Sequence, residues 1–530
     1  MNARIVLIVA IAAVLALLGT SARATQPGSR FDVLIRSAHV YDGTGNPWIL
    51  ADVGITGDRI QAVGRLADAT ATRTIDANGM ALTPGFIDVH SHAGGGLAST
   101  ALQHGQPVLA QGITTVLVNP DGGGPIDLVQ QRLTYEKQGI GLNVGLMVPH
   151  GSIRREVMGM TDRDPNADEL ARMVDLARAG MRAGAFGLSS GLYYAPGSYS
   201  KTSEVVAMAK ATAPFGGVYS SHIRDEGDYT IGLTAAVQEV ITIAEEGGVI
   251  GVVSHVKALG LASHGLSMAI VARIEAARAR GVQVYSDQYP YEASGTGITG
   301  ALIPRWAQVG GRDALLRRIR GDESKKILDE VRQNIARRGG AHTLVISRYS
   351  VDSSLEGKSL AELAQKAGTA PEQLALELLQ KGDASLVSFN MSERDIEFLM
   401  RQPWNMTSTD GDLVPMGQGK PHPRAYGAFP RKIRRYVRDR GVIDLPFAIR
   451  SMTSLPAQVF GMKDRGQIRA GAFADVLIFD PAKVNDAATY QDPHQLAEGM
   501  THIIVNGVLV RDDGKFSNAL PGRVLSLERH

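Results

Sequence analysis

The middle of the chain, from about residue 84 to residue 456, alternates between short apolar runs and amphipathic segments. The apolar runs include residues 114–118, 144–148, 217–219, 250–253 and 282–285, and the amphipathic segments include residues 168–183 and 235–247. A repeated strand-then-helix order is typical of a parallel sheet with crossover helices. About eight such units fit this length, and no Gly-rich dinucleotide-binding fingerprint follows the first strand. An α/β fold of the (β/α)8 TIM-like barrel type is therefore favoured over an open doubly wound sheet.

Short β-rich runs and tight-turn signals fill the chain on both sides of that region. Gly57-Asp58 suits a hairpin near one end, and Asn506-Gly507 is a strong hairpin signal near the other. We expect both termini to pair into one small β-sandwich domain, the alternative being two unrelated β segments. The predicted boundaries are 25–83 and 466–530 for the sandwich and 84–465 for the barrel, with an insertion near 298–345, where a basic helical stretch departs from the rhythm.

The first 24 residues have the layout of a secretory signal peptide. Arg4 precedes the apolar stretch from Ile5 to Leu18, and Ala22-Arg23-Ala24 is a small-x-small cleavage signature. We predict cleavage after Ala24 and export, most simply to the periplasm; an uncleaved anchor is the alternative. No other stretch approaches ~20 consecutive apolar residues, so no membrane association is expected after cleavage.

Composition excludes several kinds of chemistry. The 530 residues include no cysteine, which rules out disulfides, thiol nucleophiles and thiolate ligands. Any metal must therefore be held by nitrogen and oxygen atoms. The formal net charge of +2 argues against nucleic-acid binding, which needs a clustered basic excess.

Two histidines follow the apolar run from Gly85 to Val89. In a strand, residues two apart point to the same side, so the imidazoles of His90 and His92 can face one metal. They stand at the carboxyl end of the first predicted barrel strand, where barrel active sites are built.

Three further residues stand where apolar runs end: His222, His255 and Asp410. Strand ends of a barrel converge on one face, and imidazole and carboxylate are ligands that zinc prefers. The four histidines and the aspartate together predict a metal site.

The sequence from Thr83 to His92, Thr-Pro-Gly-Phe-Ile-Asp-Val-His-Ser-His, resembles the opening motif of the amidohydrolase superfamily. Further blocks, in this order, are similar to its N-acyl-D-amino-acid deacylase (D-aminoacylase) branch: residues 184–192, 221–226, 254–257, 289–291, 422–424 and 471–475. The similarity runs from about Phe31 to Val510.

This resemblance implies a barrel with a β-sandwich and zinc-dependent amide hydrolysis, with one or two Zn²⁺ ions or another divalent metal. Asp410 resembles the family's general base and acid, which takes a proton from water and passes it to the leaving amine. One departure concerns Asp121, which stands where typical D-aminoacylases carry a cysteine ligand. A carboxylate bridges two cations readily, so Asp121 is predicted as a sixth metal ligand, with a turn residue as the alternative.

By the same resemblance, Lys257, Tyr194, Tyr289 and Arg424 line the pocket and hold a substrate carboxylate, for which cationic and phenolic donors are suited. The expected substrate is a small molecule with a free carboxylate, most simply an N-acyl-D-amino acid. A dipeptidase specific for D-residues and a cyclic amidase of the hydantoinase or dihydropyrimidinase type are alternatives, although the modified lysine usual in cyclic amidases has no place in the strand pattern. A non-catalytic periplasmic binding protein is the alternative from another class, and the oligomeric state stays open.

Overall fold

A computed structural model describes residues 29–528 of the chain, and the predicted signal peptide over residues 1–24 lies outside them. The strands, numbered in chain order, are β1 Arg30–Val40, β2 Ile49–Thr56, β3 Arg59–Gly64, β4 Thr70–Asp76, β5 Ala81–Pro84, β6 Phe86–Asp88, β7 Ile113–Val118, β8 Asn143–Leu146, β9 Val148–Pro149, β10 Gly187–Gly191, β11 Val218–His222, β12 Ile250–Val253, β13 Val284–Gln288, β14 Ala293–Gly297, β15 Leu344–Arg348, β16 Ser385–Phe389, β17 Asn405–Thr407, β18 Val476–Phe479, β19 Met500–Val505, β20 Val508–Asp512 and β21 Lys515–Phe516.

The α-helices are Gly94–Leu97, Gln106–Leu109, Leu128–Gln138, His150–Met158, Ala167–Arg182, Thr202–Thr212, Leu233–Gly247, Ser267–Ala279, Ile298–Leu302, Arg312–Arg320, Ser324–Arg337, Leu360–Ala367, Pro371–Lys381, Glu393–Met400, Arg424–Arg431, Leu445–Met452 and Ser454–Val459. The segment Lys432–Asp439 is π-helical. Among residues 29–528, no helix is long and apolar enough to cross a membrane.

The strand-and-helix alternation folds into the predicted (β/α)8 barrel. Its parallel strands pair in the orders β6-β7-β8 and β9-β10-β11-β12-β13-β17. Met147 lies between β8 and β9, which together occupy one strand position. The first and last positions meet where the Asp410 backbone N–H donates to the His90 carbonyl at 2.9 Å. Strands such as β7 are buried along their whole length, as expected where both faces of a parallel sheet are covered.

Both ends of the chain build one β domain. Its nine-stranded sheet runs in the order β21-β20-β19-β18-β5-β1-β2-β3, with β4 beside β1. The two ends join where β5 pairs antiparallel with β18, Thr83 opposite Leu477. Alternate residues of these strands, such as Ile55, Leu82 and Ile478, form the core of the domain.

A third unit interrupts the barrel between β13 and β17, which pair directly with each other. Residues 293–389, called the inserted unit below, contain the antiparallel sheet β14-β16-β15 and the helices between those strands. Residues such as Leu302, Ile327 and Leu379 give it a hydrophobic core of its own. It spans more than the 298–345 stretch indicated by the basic helices, because its strands β14 and β16 pair over about ninety residues of intervening chain.

Candidate metal centre

The predicted metal ligands all lie at the carboxyl ends of barrel strands. His90 and His92 follow β6, Asp121 follows β7, His222 ends β11, His255 follows β12 and Asp410 follows β17. Parallel strands bring these ends to one face of the barrel, and the six side chains converge there.

One group of ligand atoms surrounds the carboxylates of Asp121 and Asp410. His90 Nε2 lies 3.2 Å from Asp121 Oδ1 and 3.6 Å from Asp410 Oδ1. His92 Nε2 lies 3.4 Å from Asp121 Oδ2 and 3.1 Å from Asp410 Oδ1. Zinc bonds of about 2.1 Å in tetrahedral geometry place neighbouring ligand atoms about 3.4 Å apart. The spacing therefore suits a cation between the four side chains.

A second group shares Asp121 with the first. Asp121 Oδ1 lies 3.7 Å from His222 Nδ1 and 3.6 Å from His255 Nε2. Asp121 thus occupies the position of a bridging ligand between two groups that each suit a cation.

Unsatisfied buried atoms support the same interpretation. Within residues 29–528, four atoms of the cluster are buried without an acceptable hydrogen bond: His90 Nε2, Asp121 Oδ1, His222 Nδ1 and His222 Nε2. Buried polar atoms are normally paired, and a cation between them would satisfy these. The residues present therefore fit a metal.

The buried carboxylates of the cluster are ionised and favour a positive charge between them. Burial acts to raise the pKa of Asp410, but the Arg424 guanidinium and His255 hold it well below its usual range. Burial also acts to raise the pKa of Asp121, which the imidazoles hold well below its usual range. Burial acts to lower the pKa of His255, yet the neighbouring carboxylates raise it to about 9. These ionised carboxylates attract either protons onto the imidazoles or a cation between them.

The backbone at three ligands is held in an uncommon conformation. Asp121, His255 and Asp410 have φ of 55°, 34° and 48°, in the left-handed region that residues other than glycine rarely adopt. Hydrogen bonds from backbone N–H groups to buried carboxylates fix two of these loops. The His255 N–H donates to Asp287 at 2.9 Å, and the Thr409 N–H donates to Asp88 at 3.0 Å.

Two residues without a predicted role support the ligands. Asp88 accepts hydrogen bonds from the His90 N–H and from the Thr409 N–H and hydroxyl, and burial raises its pKa to about 6. Glu226 lies with its Oε1 3.1 Å from His255 Nδ1. The Glu226 carboxylate thus lies beside the nitrogen of His255 that faces away from Asp121, where it can orient the ring. Asp88 and Glu226 both lie in sequence blocks that also contain predicted metal ligands. Only that position could have indicated their supporting roles from sequence.

The four predicted substrate-binding residues all line one cavity of about 960 Å³ that opens above the cluster. Arg424 begins the helix Arg424–Arg431; its Nη1 lies 2.7 Å from Asp410 Oδ2, and its guanidinium lies 4.6 Å from the centre of the Tyr289 ring. The Tyr194 hydroxyl donates to Thr296 at 3.2 Å. Lys257 is buried and forms an ion pair with Glu226. Its Nζ lies 2.7 Å from Nδ1 of the predicted ligand His255.

The chain is similar to several known proteins along nearly its whole length. The D-aminoacylase of Alcaligenes xylosoxydans xylosoxydans is 32% identical over 519 residues, covering 94% of this chain and 98% of that protein. The N-acyl-D-glutamate deacylase of the same organism is 34% identical over 516 residues, covering 94% and 96%. The crystal structure of N-acyl-D-glutamate deacylase from Bordetella bronchiseptica, in complex with zinc and a phosphonate inhibitor, aligns with a TM-score of 0.80 at 32% identity, covering 94% of this chain and 100% of that one. A family model for the amidohydrolase family matches residues 73–511. The chain therefore belongs to the amidohydrolase family.

Proposed function

We propose that the protein hydrolyses the amide bond of N-acyl-D-amino acids, with the help of one or two divalent ions, zinc first among them. The observation that carries this proposal is the carboxylate of Asp121, shared between four imidazoles beside Asp410 at the base of the cavity. The similar proteins named above are deacylases of this kind, and the Bordetella structure holds zinc.

His90, His92, Asp121 and Asp410 would hold one ion, and Asp121, His222 and His255 a second. A divalent ion bound there supplies Lewis acidity, which lowers the pKa of water towards ~7 and polarises the scissile carbonyl.

Asp410 is placed to move the proton. Its Oδ2 is held by Arg424, and its Oδ1 faces His92 at the base of the cavity. As an ionised carboxylate it accepts a proton from the attacking water and passes it to the nitrogen of the leaving amine. No serine or lysine nucleophile is required by this scheme.

Arg424 is our candidate for binding the substrate α-carboxylate. Its Nη1 contacts Asp410, while its Nη2 lies beside Gly295, a residue of the cavity wall without a side chain. Tyr289 and Tyr194 line the same wall and supply phenolic donors. Lys257 adds a positive charge beside His255 and Glu226.

The same site bears on the alternatives. Cyclic amidases usually bridge their metals with a modified lysine, whereas here the shared position is held by Asp121. A dipeptide ending in a D-residue carries the same amide and carboxylate as an N-acyl-D-amino acid, and a cavity of about 960 Å³ has room for it.

We also propose that the protein acts outside the cytoplasm, in the periplasm. Residues 1–24 have the layout of a signal peptide, with Arg4 before an apolar stretch and a small-x-small signature at its end. Cell fractionation with amino-terminal sequencing should find a mature chain that begins at Thr25; an intact Met1 in the cytoplasmic fraction would contradict export.

The test of the activity is amine release from matched N-acetyl-D- and N-acetyl-L-amino acids and D-terminated dipeptides, together with ring opening of dihydrouracil to its N-carbamoyl amino acid, with metal content measured on the same sample. We expect the D-forms to exceed the L-forms in kcat/KM by at least about tenfold. Turnover of dihydrouracil alone would point to a cyclic amidase, and a metal-free protein without turnover would point to a binding protein.

A further inference from the structure

The loop that carries Asp121 leaves β7 in an uncommon backbone conformation. Asn119 and Asp121 have φ of 65° and 55°, in the left-handed region that residues other than glycine rarely adopt. Pro120 lies between them, and its ring restricts φ to about −65°. Residues in such conformations cost free energy that the surrounding contacts must offset. The position of the Asp121 carboxylate therefore depends on the contacts that hold this loop.

One of these contacts is the hydroxyl group of Ser189. Ser189 lies on β10 and is 1% exposed. Its Oγ donates to the Asn119 carbonyl at 2.6 Å and accepts from the Gly122 N–H at 3.2 Å. A hydroxyl can donate one hydrogen bond and accept others, and Ser189 uses both abilities here. It therefore binds the backbone on both sides of Asp121.

The backbone of this loop lies directly against the end of β10. A side chain at Gly191 would collide with the Asp121 carbonyl. A Cβ at Gly122 would lie 3.0 Å from the Gly191 nitrogen, closer than ordinary contacts allow. Because glycine at these two positions lets the chains approach closely, the short side chain of Ser189 can reach the loop.

A pair of amide side chains holds the other side of the loop. Asn119 Nδ2 donates to Gln131 Oε1 at 2.9 Å, and Gln131 Nε2 donates to Asn119 Oδ1 at 3.0 Å. Gln131 lies on the helix Leu128–Gln138, and both side chains are buried. These two reciprocal hydrogen bonds fix the orientation of Asn119, the residue with which the loop begins.

We propose that Ser189 is a positioning residue for Asp121, acting together with the Asn119–Gln131 pair. The Ser189 hydroxyl donates its proton to the Asn119 carbonyl, so it acts on the loop and not on a substrate. Without it, the loop can relax towards commoner backbone angles, and the Asp121 carboxylate then leaves its place between the imidazoles. The inference rests on the proposed metal-binding role of Asp121. Groups that orient a metal ligand contribute to metal affinity although they do not touch the metal.

The test is the zinc affinity of the metal-free protein, measured by competition with a chelator. We expect Ser189→Ala and Gln131→Ala to bind zinc about 10–100-fold more weakly than wild type, as is typical when a group that orients a metal ligand is lost. Zinc binding by Ser189→Ala equal to that of wild type would overturn the inference. If circular dichroism shows that Ser189→Ala does not fold, Gln131→Ala decides in its place, and wild-type affinity in that variant overturns the inference.

Ser190→Ala is the matched control. Ser190 is the next residue of β10, and it is also buried. Because neighbouring residues of a strand point to opposite faces, its hydroxyl does not face the Asp121 loop; it lies 2.8 Å from the Tyr219 hydroxyl and 2.9 Å from that of Ser221. This variant also loses a buried hydroxyl, yet it should bind zinc within about threefold of wild type. A loss as large as that of Ser189→Ala would overturn the inference, because any buried serine of β10 would then have the same effect.

A double variant separates positioning from a general effect on the fold. In the Asp121→Ala protein, adding Ser189→Ala should change zinc affinity by less than about threefold, because no carboxylate is left to be positioned. A further loss of about tenfold there would show that Ser189 acts independently of Asp121, and would overturn the inference while leaving the proposed function intact. Wild-type zinc affinity in Asp121→Ala alone would instead overturn the proposed metal-binding role of Asp121 itself.

Discussion

At the scale of single residues, the least expected feature is the carboxylate of Asp121 at the centre of the cluster. It lies within 3.7 Å of ring nitrogens of His90, His92, His222 and His255. Its backbone has a φ of 55°, and its Oδ1 is buried without a hydrogen bond within residues 29–528. These properties suit a bridging ligand better than a surface turn residue.

Asp121→Ala should therefore lower both metal content and activity, because it removes a ligand from each group. We expect kcat/KM to fall by at least about a hundredfold and the metal-to-protein ratio to fall in the purified protein. Asp121→Cys is the matched comparison, since a thiolate can also ligate the ion, and it should retain more metal than the alanine variant. Full activity of Asp121→Ala would contradict the bridging role.

Glu226 has a supporting role that contact geometry shows and sequence did not. It lies against His255 Nδ1 and forms an ion pair with Lys257. Glu226→Gln should weaken metal binding by about 10–100-fold, as is typical when a carboxylate behind a ligating histidine is lost. Competition with a chelator measures this affinity; binding equal to that of wild type would show that His255 is oriented by other contacts.

Five of the candidate ligands could be predicted because strand ends converge in a barrel, whichever helices surround it; Asp121 was predicted from the position of a cysteine ligand in the family that the sequence resembles. Glu226 and Asp88 were not predicted, because their roles depend on which side chains meet across loops. Arg338, which follows the basic helix Ser324–Arg337, is a similar case, because only tertiary packing shows that it is buried.

At the scale of elements, sequence was most informative about barrel helices. The amphipathic segments 168–183 and 235–247 correspond to helices Ala167–Arg182 and Leu233–Gly247. In the first, Asn166 and Glu169 form a reciprocal capping box that fixes where the helix begins. The limits of the inserted unit were harder to predict. Its strands β14 and β16 are far apart in the chain, and local sequence pattern does not indicate that they pair.

The π-helical segment Lys432–Asp439 contains a buried lysine that forms no ion pair with any acidic residue between positions 29 and 528. Lys432 donates to the hydroxyls of Thr407 at 2.8 Å and Ser451 at 2.7 Å, and burial lowers its pKa to about 7. Because the folded-state pKa lies below the unfolded value, the unfolded chain binds more protons between about pH 7 and pH 10.5. The free energy of unfolding associated with this group therefore rises with pH across that window and is lowest below it.

Lys432→Met should stabilise the protein at pH 7 by about 2 kcal/mol, after allowance for the two hydroxyls left unpaired. The gain should shrink as the pH rises towards 10, because the cost of removing the lysine's proton on folding falls as the pH approaches its unfolded pKa of 10.5. Chemical denaturation of both proteins at pH 7 and pH 9.5 measures this difference. A gain that grows with pH would contradict the assignment of a neutral, buried amine.

At the scale of the whole molecule, the barrel and the inserted unit together line one cavity. The barrel supplies the candidate ligands, and the inserted unit supplies part of the wall, including Arg338, Ser347 and residues of β16. The β domain joins the two ends of the chain where β5 pairs with β18. Just before β6, the Gly85 N–H donates to the Asp475 carbonyl at 2.8 Å. Short β-rich runs and turn signals at both ends of the chain allowed the pairing of the termini to be predicted. No sequence pattern indicated that the inserted unit contributes to the cavity.

Metal removal should affect the stability of the whole fold. The cluster brings ionised carboxylates and unsatisfied imidazoles into a buried site, and an ion that binds only the folded state stabilises it by mass action. Dialysis against a chelator should lower the midpoint of thermal unfolding by at least about 3 °C, and added zinc should restore it. The Asp121→Ala protein is the control and should respond less. Identical unfolding curves before and after verified metal loss would contradict a metal held by these residues.

The most direct test of the central claim compares Asp410→Asn with wild type at equal metal content, using amine release from the N-acyl-D-amino acid that the wild type hydrolyses best. Asparagine keeps an oxygen for the ion but cannot accept the proton of the attacking water. The proposed mechanism predicts a fall in kcat of at least about a thousandfold, with substrate binding largely retained. A variant that binds metal as wild type does and still hydrolyses the substrate within about tenfold of the wild-type rate would show that Asp410 is not the general base.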